Sequence, residues 1–284
     1  MEVIVGKLAG FCPGVSNAVK KTLEIAKQED NIYCYGELVH NKQVVDELEK
    51  NGVITVEDIT VIPNNSTVIF RAHGVKESTY EIAKQKRLKV IDLTCGNVKI
   101  IHDKVKKARS NSFIIIVGDK EHPENIGTKD FAGENSYVIS SEDEIIDAYK
   151  EFEKSNLNRV YVVSQTTFNM KKFEDLTNEI EENFCEVPVI IDNTICRATE
   201  LRQEEVFELS KKVDEMIVIG GKNSANTQKL VQISEKNCNK VYHIQTKADL
   251  QNVKFNTNVK IGIVAGASTP KDIILDVEKY IMEM

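Results

Sequence analysis

The residues best able to do chemistry in this chain are its cysteines and histidines. Six cysteines occur, and no two form a Cys-x-x-Cys pair, so a zinc ribbon or a thioredoxin-like motif has no local support. Three of them follow apolar runs: Cys12 in Ala9-Gly-Phe-Cys12-Pro-Gly, Cys95 in Asp92-Leu-Thr-Cys95-Gly-Asn and Cys196 in Asp192-Asn-Thr-Ile-Cys196-Arg. Three thiolates from distant loops suit a metal centre. Iron–sulfur clusters are usually held by four cysteines, so three protein ligands would leave one iron open, by the logic that separates catalytic from structural zinc sites. The alternative is that each is a small buried hydrophobe, which is our expectation for Cys34, Cys185 and Cys238.

Of the five histidines, three end polar loops after strand-like runs: His40, His73 and His122. Imidazole donates well to phosphate oxygens. His102 lies in a Lys-rich helical stretch and is expected at the surface, whereas His243 sits in a short strand pattern and reads as structural. His122 opens His122-Pro-Glu124. A carboxyl at Glu124 in a closed pocket would have a raised pKa and could deliver a proton; a simple turn around Pro123 is the competing reading. Thr166, Ser224, Asn226 and Ser268 lie between strand-like and helical stretches, where they suit an oxyanion or cap a helix. No Walker loop or Gly-x-Gly-x-x-Gly motif is present, so no nucleotide cofactor is indicated.

These loops need a scaffold. Nine short β-branched runs, from Val3–Val5 to Lys260–Val264, alternate with stretches of helical period such as Val98–Arg109 and Glu200–Lys212. Alternation of near-continuous apolar strands with helices predicts parallel α/β units with right-handed crossovers. Nine strands suggest three units of three, and the paired Asp-Thr-Cys stretches at Asp92 and Asp192 are a faint internal echo. We place the units at 14–96, 97–194 and 195–284, the last completed by 1–13. Ligands of open α/β sheets bind outside the carboxyl ends of the strands, where the polar loops would lie.

The 284 residues, 41% hydrophobic and 29% charged, describe an ordinary globular chain. Lys plus Arg is 37 against 44 Asp plus Glu, a formal charge of −7, so a nucleic-acid footprint is absent. No run approaches the ~20 apolar residues of a membrane span, and Gly6, Lys7 and Gly10 interrupt any signal-peptide layout. The expectation is a cytoplasmic protein with no membrane or nucleic-acid partner.

Taken together, Phe11-Cys12-Pro-Gly-Val, Leu38-Val-His40-Asn, Arg71-Ala-His73-Gly-Val, Asp92-Leu-Thr-Cys95, His122-Pro-Glu124, Gln165-Thr166-Thr167, Asn193-Thr-Ile-Cys196, Lys222-Asn-Ser224-Ala-Asn226-Thr and Ala265-Gly-Ala-Ser268-Thr-Pro resemble the 4-hydroxy-3-methylbut-2-enyl diphosphate reductases, the last enzymes of the non-mevalonate isoprenoid pathway. Each motif alone is weak, but nine in order are specific. The resemblance implies an α/β fold of three similar domains in a pseudo-threefold trefoil around a central cluster-binding cleft. It implies an open-site [4Fe–4S] cluster on Cys12, Cys95 and Cys196. It also implies a diphosphate held by His40, His73, His122, Ser224, Asn226 and Ser268, substrate contact by Thr166 near the hydroxyl, and a catalytic group of Glu124, Thr166 and His122 in which Glu124 supplies the protons. Ferredoxin or flavodoxin is the implied electron donor. Two departures stand out: Ala225 replaces a serine common in the family's diphosphate loop, and Asn125 replaces a common valine after His-Pro-Glu. A cluster-dependent hydro-lyase with a carboxylate-binding pair such as Arg71 and Arg197, or a metal-binding sensor without turnover, are the competing functions.

Overall fold

A computed structural model describes residues 1–256 and 258–284. The strands are β1 (Glu2–Val5), β2 (Ile32–Tyr35), β3 (Val53–Val56), β4 (Thr67–Phe70), β5 (Lys89–Asp92), β6 (Phe113–Val117), β7 (Ser136–Ile139), β8 (Val160–Ser164), β9 (Val189–Ile191), β10 (Glu215–Ile219), β11 (Lys240–Ile244) and β12 (Lys260–Ala265). The α-helices are α1 (Pro13–Ala26), α2 (Lys42–Lys50), α3 (Glu77–Gln85), α4 (Gly96–Ala108), α5 (Pro123–Ala132), α6 (Ile145–Lys154), α7 (Met170–Asn183), α8 (Arg197–Ser210), α9 (Ala225–Glu235) and α10 (Lys271–Met282).

The strands form three four-stranded sheets, ordered β3-β2-β4-β5, β7-β6-β8-β9 and β11-β10-β12-β1. Every pairing described is parallel. The order within each is the same: second strand at one edge, then first, third and fourth. In the third sheet β1, from the start of the chain, takes the fourth place beside β12.

The sequence predicts nine strands, and the described residues form twelve. The extra three, β3, β7 and β11, occupy the same edge position in the three sheets. Each carries a polar residue, Thr55 within β3, Ser136 at the start of β7 and Lys240 at the start of β11, as a strand that pairs on one side only can. Central strands lack that freedom. All five residues of β6 and of β10 are buried, as expected for strands covered on both faces.

Alternate residues of β6 serve opposite faces. Phe113, Ile115 and Val117 pack with Phe152, Phe173, Leu176 and Ile180 of α6 and α7. Ile114 and Ile116 pack with Ile101, Val105 and Ala132 of α4 and α5. In β10, Ile217 and Ile219 meet Ile274 and Val277 of α10, while Met216 and Val218 meet Val206 of α8 and Leu230 of α9. A third core, around Val68 and Phe70, packs Ala83 of α3.

The chain divides into two compact units. One comprises Met1–Lys20, Val39–Lys50 and Arg197–Met284; the other comprises Lys21–Leu38 and Asn51–Cys196. No helix among the described residues is long and apolar enough to cross a membrane.

Two expectations about single residues fail. His102 is buried, at 4% exposure, and its ring stacks on Phe131 with centroids 4.2 Å apart. It faces inward from α4 with Val98, Ile101 and Val105, and burial pushes its pKa down to about 4. The lysines around it set the charge of the stretch but not the face this residue takes. Cys185, expected to be a buried hydrophobe, is exposed; Cys34 and Cys238 are buried.

Candidate functional site

The larger unit holds the acid. Glu124 is the second residue of α5, behind Pro123 at the first position, where the missing N–H does no harm. Its cap is the His122 ring, whose Nδ1 accepts the Glu124 N–H at 3.2 Å. A neutral His122 therefore carries its proton on Nε2. Glu124 is 2% exposed. Its Oε1 accepts the Thr166 N–H at 2.6 Å, and its Oε2 accepts the Thr166 hydroxyl at 2.7 Å. Burial pushes the carboxyl up to about 7, against the pull of these two bonds. An acid balanced near neutrality can hold and release a proton at working pH.

Thr166 also touches the cysteine loop: its carbonyl accepts the Cys196 N–H at 2.9 Å. The Cys196 sulfur accepts from Nδ2 of Asn97 at 2.9 Å. Cys95 caps α4, and its N–H donates to the Ala72 carbonyl at 3.0 Å. His73 lies one residue beyond Ala72, and its ring meets His122 edge-on with centroids 5.5 Å apart. Gly74 turns the chain there at φ +80°; a side chain would press on His102, Val98 and Thr94. The two aspartates of the sequence echo act alike. Asp92 accepts from Tyr80 and pairs with Lys99; Asp192 accepts from Tyr161 and pairs with Lys104.

Asn125 is buried at 1% exposure. Its Nδ2 donates to the Asp119 carbonyl and to Oε1 of Gln165, and Gln165 Nε2 reaches the Thr167 hydroxyl. This amide replaces apolar packing behind Glu124 with a polar tie to the Gln165–Thr167 loop. Motif reading names Gln165 and Asn125 but not the bond between them, and gives Asn97 no role, because these contacts join loops far apart in sequence.

The smaller unit presents mostly neutral groups. Cys12 precedes α1, and its N–H donates to the Ala267 carbonyl at 3.1 Å. The Ser268 hydroxyl donates to the His40 carbonyl at 3.2 Å. Gly221 sits so close that a Cβ there would lie 2.6 Å from that same carbonyl. Ser224 caps α9, its Oγ accepting the Thr227 N–H. Asn226 is 5% exposed, yet among the described residues neither its Oδ1 nor its Nδ2 has a hydrogen-bond partner. Buried amides left this way cost stability, a cost that a polar ligand at this place would relieve.

Of the four residues that could be helix caps, only Ser224 is one. Asn169 caps α7 in place of Thr166, and Pro270 occupies the N-cap of α10 in place of Ser268. Each arginine named for a hydro-lyase has a contact within its own unit. The Arg71 guanidinium lies over the Tyr35 ring, and the Arg197 side chain is 69% exposed and bound to Glu200.

Parallel α/β sheets with a buried near-neutral acid and an unsatisfied amide at helix starts define an enzyme of the open-sheet class. The LytB protein family matches residues 3–282, and the chain belongs to it. It is similar to the 4-hydroxy-3-methylbut-2-enyl diphosphate reductases of Clostridioides difficile, 40% identical over 99% of both chains, and of Aquifex aeolicus, 40% identical over 100% of this chain and 97% of that one. Among solved structures, the E-1-hydroxy-2-methyl-but-2-enyl-4-diphosphate reductase from Plasmodium falciparum is 32% identical with a TM-score of 0.88, over 99% of this chain and 87% of that one. A structure of (E)-4-hydroxy-3-methyl-but-2-enyl diphosphate reductase, titled the terminal enzyme of the non-mevalonate pathway, is 40% identical with a TM-score of 0.72, over 100% and 99% of the two chains.

Proposed function

We propose that this chain reduces (E)-4-hydroxy-3-methylbut-2-enyl diphosphate to isopentenyl diphosphate and dimethylallyl diphosphate. Two electrons and two protons enter, the allylic C–O bond breaks, and the hydroxyl leaves as water. The observation that carries the reading is Glu124: a buried carboxyl near neutrality, bonded through both oxygens to Thr166, whose carbonyl holds the Cys196 loop. A proton donor is thereby tied to the loop of a cysteine that we assign as a cluster ligand.

Cys12, Cys95 and Cys196 are the ligands of a [4Fe–4S] cluster. The residues fit such a group. All three are half-buried, and each directly precedes a helix, where the dipole favours a thiolate. Asn97 adds an N–H to the Cys196 sulfur. When bound, the cluster supplies electrons one at a time and a Lewis-acidic iron with an open position. The protein supplies the rest. His40, His73, His122, Ser224, Asn226 and Ser268 hold the diphosphate, and the unpaired amide of Asn226 supports that role. Ala225 opens α9, so its N–H faces no helical acceptor and serves in place of the missing serine hydroxyl. Glu124 delivers protons, and Thr166 orients the carboxyl and the substrate's hydroxyl. We assign three domains, 14–96, 97–194 and 195–284 with 1–13, a division that the three four-stranded sheets support. The enzyme works in the cytoplasm, with ferredoxin or flavodoxin as donor.

The test is Mössbauer spectroscopy of anaerobically reconstituted ⁵⁷Fe protein, with and without the allylic diphosphate, joined to a turnover assay with a low-potential reductant. One distinct iron that shifts on substrate addition is expected. Uniform irons indifferent to the diphosphate, or turnover without reductant, would overturn the reading.

A further inference from the structure

The segment leading to Cys12 is irregular, and two side chains of α8 grip it. Arg202 donates from Nη2 to the Leu8 carbonyl at 2.7 Å and the Gly10 carbonyl at 2.8 Å, and from Nε to the Leu8 carbonyl at 3.1 Å. Glu205 accepts the Lys7 N–H at 2.6 Å and the Leu8 N–H at 3.0 Å. One side chain thus takes the carbonyls of the turn and the other takes its amides. The glycines fit the grip. Gly10 has φ +110°, and a Cβ on Gly6 would lie 2.9 Å from Glu205 Oε2. The backbone bonds described for this segment are Gly6 N–H to Ile263, Ala9 N–H to Gly6 and Cys12 N–H to Ala267, which pin its two ends more than its middle. Arg202 is 5% exposed, and a planar guanidinium with fixed donors holds two carbonyls in one geometry as an ammonium cannot.

We propose that Arg202 and Glu205 are positioning residues that set where the Cys12 thiol stands. The pair rises from the helix whose first residue follows Cys196, so one helix serves two of the three cysteine loops. The inference rests on Cys12 being a cluster ligand. Neither side chain takes part in the reaction itself; both act through the backbone of Lys7–Gly10.

The test uses reconstituted protein carrying Glu205→Gln, Arg202→Lys or Arg202→Met. Amide hydrogen exchange is followed by mass spectrometry, and iron loss to an iron(II) chelator is followed well below the melting temperature. In Glu205→Gln, exchange across residues 7–12 and the rate of iron loss are both expected to rise about tenfold, the loss of one charge-assisted bond. Exchange around Cys95 and the melting temperature should stay near wild type. Arg202→Met should do more, with Arg202→Lys between the two. Glu205→Gln decides alone if Arg202→Met does not fold. Faster exchange without faster iron loss would make the grip merely structural and overturn the proposal, as would a uniform rise across the unit or no change in either rate. Wild-type protein that takes up no iron would instead sink the cluster reading, and the positioning role with it.

Discussion

Glu124 and Asn226 occupy the same place in two repeats of one motif, and the fold treats them in opposite ways. Each is the second residue of the helix that follows the central first strand of its sheet, α5 after β6 and α9 after β10. Each stands two residues beyond its cap, His122 or Ser224. Glu124 is bonded through both oxygens; Asn226 is bonded through neither amide atom. The remaining repeat shows the same frame: Asn41 caps α2, and Gln43, the second helical residue, has a buried Oε1 without a partner. On the proposed reading Glu124 moves protons and needs a fixed geometry and a tuned pKa before substrate arrives, whereas Asn226 only binds and can be left unsatisfied until then.

The contrast breaks most visibly at the acid. Glu124→Gln keeps the shape and removes the proton, so kcat should fall roughly 10²- to 10⁴-fold with diphosphate affinity nearly unchanged; a mainly weakened affinity would mean that the carboxyl binds rather than reacts.

The same variant tests the pKa. Folded Glu124 keeps its proton to about pH 7, whereas the unfolded chain releases it near 4.5, so the folded state binds more protons between those values. The stability of wild type relative to Glu124→Gln is therefore full below pH 4.5 and falls by about 3 kcal/mol as pH rises to 7. Denaturant unfolding across that window measures it, and a flat difference would place the carboxyl near its ordinary pKa.

Asn226→Ala should weaken diphosphate binding about 10- to 100-fold and leave the melting temperature equal or higher, because no partner is abandoned. Calorimetry of both quantities separates this from a structural amide, whose loss would lower the melting temperature.

Thr166→Val keeps the backbone bond to Glu124 and loses the hydroxyl. Since that hydroxyl pulls the carboxyl down, the alkaline limb of the pH–kcat profile should move up, with kcat reduced about tenfold. The smallest effect is expected at Ser224→Gly, which as a cap change costs a few tenths of a kcal/mol. Any larger rise in KM then reports the hydroxyl's contact with substrate.

Much of this was legible in the residues. The post-strand positions of Cys12, Cys95 and Cys196, the alternation of apolar runs and the motif around Glu124 all follow from local pattern, because buried parallel strands must be apolar and helix starts favour particular residues. The edge strands β3, β7 and β11 were not legible, since polar residues such as Thr55, Ser136 and Lys240 break or shorten their apolar runs. The capping roles of His122 and Asn169 were not legible either, because a cap is defined by backbone angles that neighbours impose. His102 misleads for a related reason: its helix is rich in lysine, but burial depends on the face, and the face depends on what packs there.

The sequence by itself determined the α/β class, the chemical inventory and the order of its loops, since composition and period depend on near neighbours. Only the tertiary structure decided which inventory members are satisfied and which are left waiting. Thr166 lies 42 residues from Glu124, and Arg202 lies 192 residues from Gly10. Hydrogen bonds over such separations form only once packed sheets have brought the loops together, and the pKa of Glu124 is set by that burial.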